Sequence, residues 1–197
     1  AMTSKIGSGK TPLGGSSVYS ASGTVFLRSQ NIWDDGIRLN DVVYISEQIH
    51  HEMNATSVKS KDILLNITGA SIGRSALVPV GFPAANVSQH VCIIRLRNKG
   101  VADYVALAML SRLTKAQMAI DQIGAARDGL NFESIGQLPI PLPPTDDERR
   151  KIVDRVSNRV ANINRQITLI DQLDDLLQQQ RKALIHEAVT GKIDLSH

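Results

Sequence analysis

A proline-studded connector, Leu138-Pro139-Ile140-Pro141-Leu142-Pro143-Pro144, divides this 197-residue chain into two parts that obey different rules. Each proline fixes φ and lacks an amide hydrogen, so the run suits neither a helix interior nor a central strand and favours a stiff, extended link. Thr145-Asp146-Asp147-Glu148 follows at once with the spacing of a capping box, in which the Thr145 hydroxyl accepts from a first-turn amide and Glu148 reaches back. Asp146 and Asp147 add negative charge where a helix end is positive. No Pro or Gly then appears until Gly191. The expectation is one unbroken helix of about 45 residues, about 65 Å long. The chain is therefore read as a head, residues 1–144, and a long helix, residues 145–197.

Along that helix, Ile152, Val156, Val160, Ile163, Ile167, Ile170, Leu173, Leu177 and Leu184 recur mostly in steps of three and four, as in a coiled-coil seam. The extra step of three from Ile170 to Leu173 is a stammer-like offset that should alter the supercoil near Asp174 and Asp175. The stripe can pack on the chain's own head or on a partner helix, and the length favours a partner.

The head has the make-up of a folded domain. Hydrophobic residues are 42% and charged residues 21% of the chain, which excludes wholesale disorder. Aromatics are only 4%, too few for the stacking platforms that hold single strands, whereas duplex DNA stays open. Cys92 stands alone among Val91, Ile93 and Ile94, so no intramolecular disulfide or cysteine zinc site forms and a core position is expected. The net charge of +3 sits entirely in residues 1–144, which carry 13 Lys and Arg against 10 Asp and Glu. That excess permits a nucleic-acid partner without demanding one. No apolar run approaches the roughly 20 residues that cross a bilayer, and no charged-then-apolar leader opens the chain, so the expected location is cytoplasmic. Ala1-Met2 reads as a cloning scar before an abrupt start.

Hydrophobic runs at Val25–Leu27, Val42–Ile45, Asp62–Thr68, Ser75–Val78 and Val91–Leu96 read as strands. A short helix after Ser46 and a longer one over Val101–Ile123, with Tyr104, Leu107, Ala108, Leu110 and Met118 supplying apolar faces, complete a mixed α/β (α+β) head.

Several patterns imitate catalytic motifs. Gly7-Ser8-Gly9-Lys10-Thr11 ends like a phosphate loop, but Ser4 stands where the first glycine belongs, Pro12 blocks the helix, and no strand is expected before it. Gly69-Ala70-Ser71-Ile72-Gly73 matches a nucleophile elbow, yet the residues after it, Arg74 to Val80, are strand-like, so strand, turn, strand is expected. His50 and His51 are adjacent rather than four apart, unlike a zinc-helix pair, and read as surface residues. No glycine-rich dinucleotide motif and no Asn-Pro-Pro-Tyr-type tetrapeptide occurs. No catalytic residue, metal or cofactor is expected.

The order of several segments resembles the specificity subunits of type I restriction-modification systems. They are Gly9-Lys10-Thr11-Pro12, Phe26 to Ile32, Asp62 to Arg74, Ala85 to His90, Gly129-Leu130-Asn131, the Leu138 to Pro144 connector, and Leu184 to Leu195 with Thr190-Gly191-Lys192-Ile193. Thr145-Asp146-Asp147-Glu148-Arg149 departs from the family's Leu-x-Glu-Gln while keeping the cap. Intact members carry two target-reading domains and two spacer helices, so the chain looks like half a subunit. The resemblance implies an α/β target recognition domain followed by a helix that pairs antiparallel with a second one. It implies double-stranded DNA, a modification (methyltransferase) subunit and a restriction subunit as partners, with catalysis in the latter two. A homodimer through the long helix is expected, and no membrane.

On that reading Lys10, Arg74, Arg95 and Lys99 are candidates for phosphate contact, with Thr11 beside Lys10. Arg28, Gln30, Asn31, Asn66, Gln89 and Arg127 are candidates for base edges, because a guanidinium fork fits guanine and an amide fits adenine. Arg28 can instead pair with Asp34 or Asp35. The alternatives are a coiled-coil protein interaction module without DNA binding and a serine hydrolase using Ser71.

Overall fold

The computed structural model describes residues 2–123 and 129–192, in two compact units, Ala1–Arg150 and Lys151–His197. In chain order the elements are β1 (Thr3–Ser8), β2 (Thr24–Leu27), β3 (Ile32–Trp33), β4 (Gly36–Ile37), β5 (Val43–Ile45), α1 (Glu47–Glu52), β6 (Ile63–Asn66), β7 (Ser75–Leu77), β8 (Ala85–Val87) and β9 (Val91–Leu96). Then follow α2 (Ala102–Met109), α3 (Arg112–Ile123), α4 (Phe132–Gln137) and α5 (Asp146–Val189).

Strand pairing gives a four-stranded antiparallel sheet, β1-β9-β6-β7, a three-stranded sheet, β5-β2-β8, and the small hairpin β3-β4. β2 runs antiparallel to β5 and parallel to β8. The strand alternation builds three layers of core. Ile63 and Leu65 of β6, with Cys92, Ile94 and Leu96 of β9, face Val105 and Met109 of α2, Met118 of α3 and Ile135 of α4. Leu64, Val91 and Ile93 point the other way, onto Val25 and Leu27 of β2 and Ala85 and Val87 of β8. On the far side of β2, Phe26 packs with Ile45 and Met53, and Tyr19 and Ile49 cover them. β2, β6, β8 and most of β9 are thus buried on both faces, which is why β2, β6 and β9 read as largely apolar runs.

Four strands escape a reading by propensity: the two-residue β3 and β4, and β1 and β8. β1 runs through Gly7 and Ser8, so a strand does precede Gly9; its glycine- and serine-rich sequence is held by pairing with β9 from Thr3↔Leu96 to Ser8↔Cys92. β8 has only three residues, and its central Asn86 is buried with its amide donating to the Met53 carbonyl and Thr56 Oγ1 at 2.9 Å each. His50 Nδ1 also lies 2.5 Å from Asn86 Oδ1, which corrects the expectation of a surface histidine. The helix expected over Val101–Ile123 breaks after Met109, where Ser111 Oγ takes the Thr114 amide at 3.3 Å and restarts it as α3. Its buried face is Val101, Ala102, Val105, Met109 and Met118, so of the expected set Met118 holds while Leu110 is exposed.

Glycine spacing at the start of β1's exit loop has a packing cause. A Cβ on Gly9 would lie 1.8 Å from the Val87 carbonyl oxygen. The Gly9 and Lys10 amides are spent on the Val91 and Val87 carbonyls, at 2.9 and 3.2 Å, so this is a strand clasp and not a phosphate cradle.

The long helix is present. α5 spans 44 residues, and the capping box forms, with the Glu148 amide donating to Thr145 Oγ1 at 3.2 Å and Glu148 Oε2 accepting from the Thr145 amide at 3.4 Å. Arg149 reaches Asp146 and the Pro143 carbonyl, and its hydrogen bond, more than its charge, holds the Asp146 carboxyl below its usual range. No residue of α5 is buried, and the seam residues Ile152, Val160, Ile163, Ile167, Ile170, Leu173, Leu177 and Leu184 are exposed, with Val156 partly covered. Leu169, Leu176 and Ile185 are exposed beside them and widen the stripe beyond the nine positions expected. Among the described residues no helix is long and apolar enough to cross a membrane.

The fold makes two stability predictions. Arg95 Nε and Nη2 grip both oxygens of Asp62, each at 2.7 Å, and Asp62 is fully buried. Asp62→Ala should cost about 3–5 kcal/mol in urea unfolding by stranding the Arg95 charge, whereas Asp62→Leu with Arg95→Met should cost much less. Burial pushes the Cys92 thiol up to about 12, from an ordinary 9.0. The folded chain keeps a proton that the unfolded chain loses above pH 9.0, so this group's stabilisation is full below 9.0 and fades towards about 12. Thiol alkylation of the native protein should track global unfolding, and rapid labelling at neutral pH would contradict the buried placement.

Candidate nucleic-acid interface

The strands converge at one end of the two sheets. β1, β2, β6 and β8 finish there, and β7 and β9 begin there, as their pairings require. The loops are stitched to one another. Asn66 Nδ2 donates to the Ser29 carbonyl at 2.8 Å, the Ile67 amide to the His90 carbonyl at 3.0 Å, the Ser88 amide to Leu27 at 2.9 Å, and the Leu130 amide to Ile67 at 3.0 Å. Four segments distant in sequence therefore form one surface on rigid strand ends.

Lys10, Gln30 and Gln89 are exposed on this surface, and Thr11, Arg28 and Arg74 are partly exposed. Arg28 pairs with neither Asp34 nor Asp35: its Nη2 donates to the Asp41 carbonyl at 2.8 Å and its guanidinium lies 5.9 Å from the Tyr19 ring centre. Asp34 instead accepts from Lys115 at 2.8 Å and from the Ser75 amide at 3.0 Å, and Asp35 pairs with Arg38 at 2.8 Å.

Two of the expected contact residues are buried, and a third, Arg95, is held in an ion pair. Asn31 is fully buried; its Oδ1 accepts the Arg28 amide at 2.9 Å and its Nδ2 donates to the Arg38 carbonyl at 3.0 Å. Asn66 is also fully buried, its amide divided between Ser29 and Ser71 Oγ at 2.8 and 3.0 Å. Both amides hold loops in shape. Arg95 is spent on Asp62 and on the Ser57 carbonyl, the latter at 3.0 Å. Arg95 and Lys99 also lie towards the other end of the sheet, where β9 finishes, away from Lys10 and Gln89. There burial, and then the Arg95 charge, hold the Lys5 ammonium below its usual range. Arg127 lies outside the described residues.

Trp33, Arg38, Thr68, His90 and Lys115 join this end without having been singled out. Thr68 Oγ1 lies 2.6 Å from His90 Nδ1, and Gln89 Nε2 lies 3.4 Å from His90 Nε2. Trp33, Arg38 and Lys115 carry no sequence pattern; only the hairpin β3-β4 and α3 bring them here. His90 closes the quoted Ala85 to His90 segment and was legible as part of it.

Ser71 lies in the β6–β7 turn, where Gly69 and Gly73 take left-handed φ values of 77° and 84°. Its hydroxyl meets the Asn66 amide, and among the described residues no histidine makes a hydrogen bond to it. Among the described residues no group of three or more His, Cys, Asp or Glu could hold a metal ion. At the strand-end surface Arg28 Nε and Asn66 Oδ1 are buried without a hydrogen-bond partner, so this end carries polar capacity that the fold itself does not use.

The family model described as "type I restriction modification DNA specificity domain" matches residues 5–175. The specificity subunit of the type I restriction enzyme EcoKI of Escherichia coli (strain K12) is 21% identical over 170 residues, 85% of this chain and 36% of that protein. Among solved structures, one from a study of complex assembly and conformational transition of the type I R-M system aligns with a TM-score of 0.62 at 18% identity, covering 93% of this chain and 43% of its own. The HsdS subunit from Thermoanaerobacter tengcongensis aligns with a TM-score of 0.61 at 18% identity, covering 88% and 44%. These likenesses show the fold, and the chain spans less than half the length of the relatives it matches. From the match over residues 5–175, the chain belongs to the family of type I restriction-modification DNA specificity domains.

Proposed function

We propose that residues 1–144 form a target recognition domain that reads duplex DNA, and that residues 145–197 form a spacer and dimerisation helix. The observation that carries this reading is the strand-end surface, where loops stitched to one another present Lys10, Thr11, Arg28, Gln30, Arg74 and Gln89 from one end of a layered core. Cationic side chains there suit phosphates, and exposed glutamines suit base edges in the major groove. Loops on rigid strands also let the reading residues change without disturbing the core. Family membership supports the same partner, and so does the positive excess confined to the head.

The exposed stripe on α5 supports a second helix as its cover. Two chains would pair these helices antiparallel and hold two readers apart. A helix of about 65 Å matches about 19 base pairs of duplex at about 3.4 Å per step. Each copy then reads one half of a bipartite site, and a homodimer requires two-fold symmetric half-sites. The chain performs no chemistry itself in this reading; partner modification and restriction subunits, docked on the helices in the cytoplasm, carry methyl transfer and cleavage.

Selection from a randomised duplex pool, with light scattering on the same preparation, tests both parts. The expected outcome is a dimer that enriches an inverted repeat with an unread gap, at an affinity that falls steeply with salt. Ile163→Asp with Ile167→Asp should give monomers and leave only half-site binding. A dimer with no enriched sequence and no salt-dependent DNA binding would favour a protein interaction module, and a monomer in both forms would remove the paired-helix arrangement.

A further inference from the structure

Trp33 is the chain's only tryptophan, and it stands on the short hairpin β3-β4 at the strand-end surface. Its indole Nε1 donates to the Gln30 carbonyl at 2.7 Å. The guanidinium carbons of Arg38 and Arg74 each lie 4.0 Å from its ring centroid. Arg38 comes from the segment after the hairpin and Arg74 from the residue before β7, so one ring collects two cations that are distant in sequence.

The hairpin beneath them is fixed on several sides. Asp34 accepts from the Ser75 amide at 3.0 Å and from Lys115 Nζ at 2.8 Å, and Asn31 Nδ2 holds the Arg38 carbonyl at 3.0 Å. Asp35 takes one nitrogen of Arg38 at 2.8 Å, in a pair whose side chains are 47% and 61% exposed. Among the described residues no carboxylate pairs with Arg74.

A guanidinium stacked on an indole uses its planar face, while its N–H donors lie in its own plane and stay open. Stacking also removes rotamer freedom before any ligand arrives, so less ordering cost remains at binding. Two like charges around one ring repel each other, and Asp35 offsets only one of them. A polyanion laid across the ring would satisfy both.

We infer that Trp33 is a positioning residue that fixes Arg38 and Arg74 as a preorganised pair of phosphate clamps on duplex DNA, and that its bond to the Gln30 carbonyl sets the exposed Gln30 amide in register with them. This rests on the DNA reading proposed above and adds two residues to it, Trp33 and Arg38, which no motif marks, while giving Arg74 a defined pose. Trp33 needs no contact with DNA to act.

The test uses the full chain with a labelled duplex of mixed sequence, titrated by anisotropy at several salt concentrations, together with the chain's single-tryptophan emission. Arg38→Gln and Arg74→Gln should each flatten the slope of log affinity against log salt by about 1. Trp33→Leu keeps both charges, so it should weaken binding about three- to tenfold while leaving the slope close to wild type. Trp33→Phe should recover most of that loss. Emission from Trp33 in the wild-type chain should change over the same DNA concentrations as the anisotropy.

If the wild type binds with a steep salt dependence but Trp33→Leu binds equally well, the inference is overturned and the DNA reading stands. If the wild type binds no duplex at any salt, both fall together. Should Trp33→Leu not fold, the Arg74→Gln slope and the wild-type emission decide, and no change in either overturns the inference.

Discussion

β6 and β9 lie side by side in one sheet with apolar layers on both faces, and everything else in the head depends on that double burial. Leu65, Cys92 and Ile94 pack on the helices, while Leu64, Val91 and Ile93 pack on β2 and β8. A strand buried on both sides cannot slip by one residue without turning every side chain into the wrong layer, so the register is fixed. Fixed registers place the ends of β1, β2, β6 and β8 together. The surface formed by the loops inherits its geometry from the core and needs little organisation of its own.

Polar groups inside the head extend that order. Asn31, Asn66 and Asn86 are buried with amides that hold neighbouring loops, and Asp62 with Arg95 ties the start of β6 to the end of β9. A buried amide left unpaired costs about as much as a lost hydrogen bond, so each of these side chains selects one loop arrangement. Gly9 completes the clasp, because only a residue without Cβ lets the chain leaving β1 press on the Val87 carbonyl. The result is a platform from which glutamines and arginines project, together with a helix whose apolar stripe is exposed at every position but the partly covered Val156.

The long helix and its cap were fully legible, since the Pro run, the Thr145 box and the absence of Gly are local signals. The doubly buried strands β2, β6 and β9 were legible as apolar runs. β1 and β8 were not, because Gly7, Ser8 and Asn86 have poor strand propensity and are held by partners far along the chain. The break between α2 and α3 was missed because Ser111 restarts the helix by capping, without a proline or glycine to mark it. At the surface, residue type named Gln30, Gln89, Lys10 and Arg74 but equally named Asn31, Asn66 and Arg95. Whether an amide faces solvent or a loop carbonyl is settled by tertiary packing, which residue type alone does not carry. Trp33 and Arg38 illustrate the converse, since their arrangement exists only once the hairpin meets the residue before β7.

The DNA reading places the duplex on the strand-end surface. Amide hydrogen exchange on the full chain, with and without a duplex recovered by selection, tests it most directly. Slowed exchange should be confined to residues 9–11, 28–33, 68–74 and 88–90, with residues 59–61 and 97–100 unchanged. Protection at 59–61 and 97–100 with the strand-end loops unaffected would contradict it.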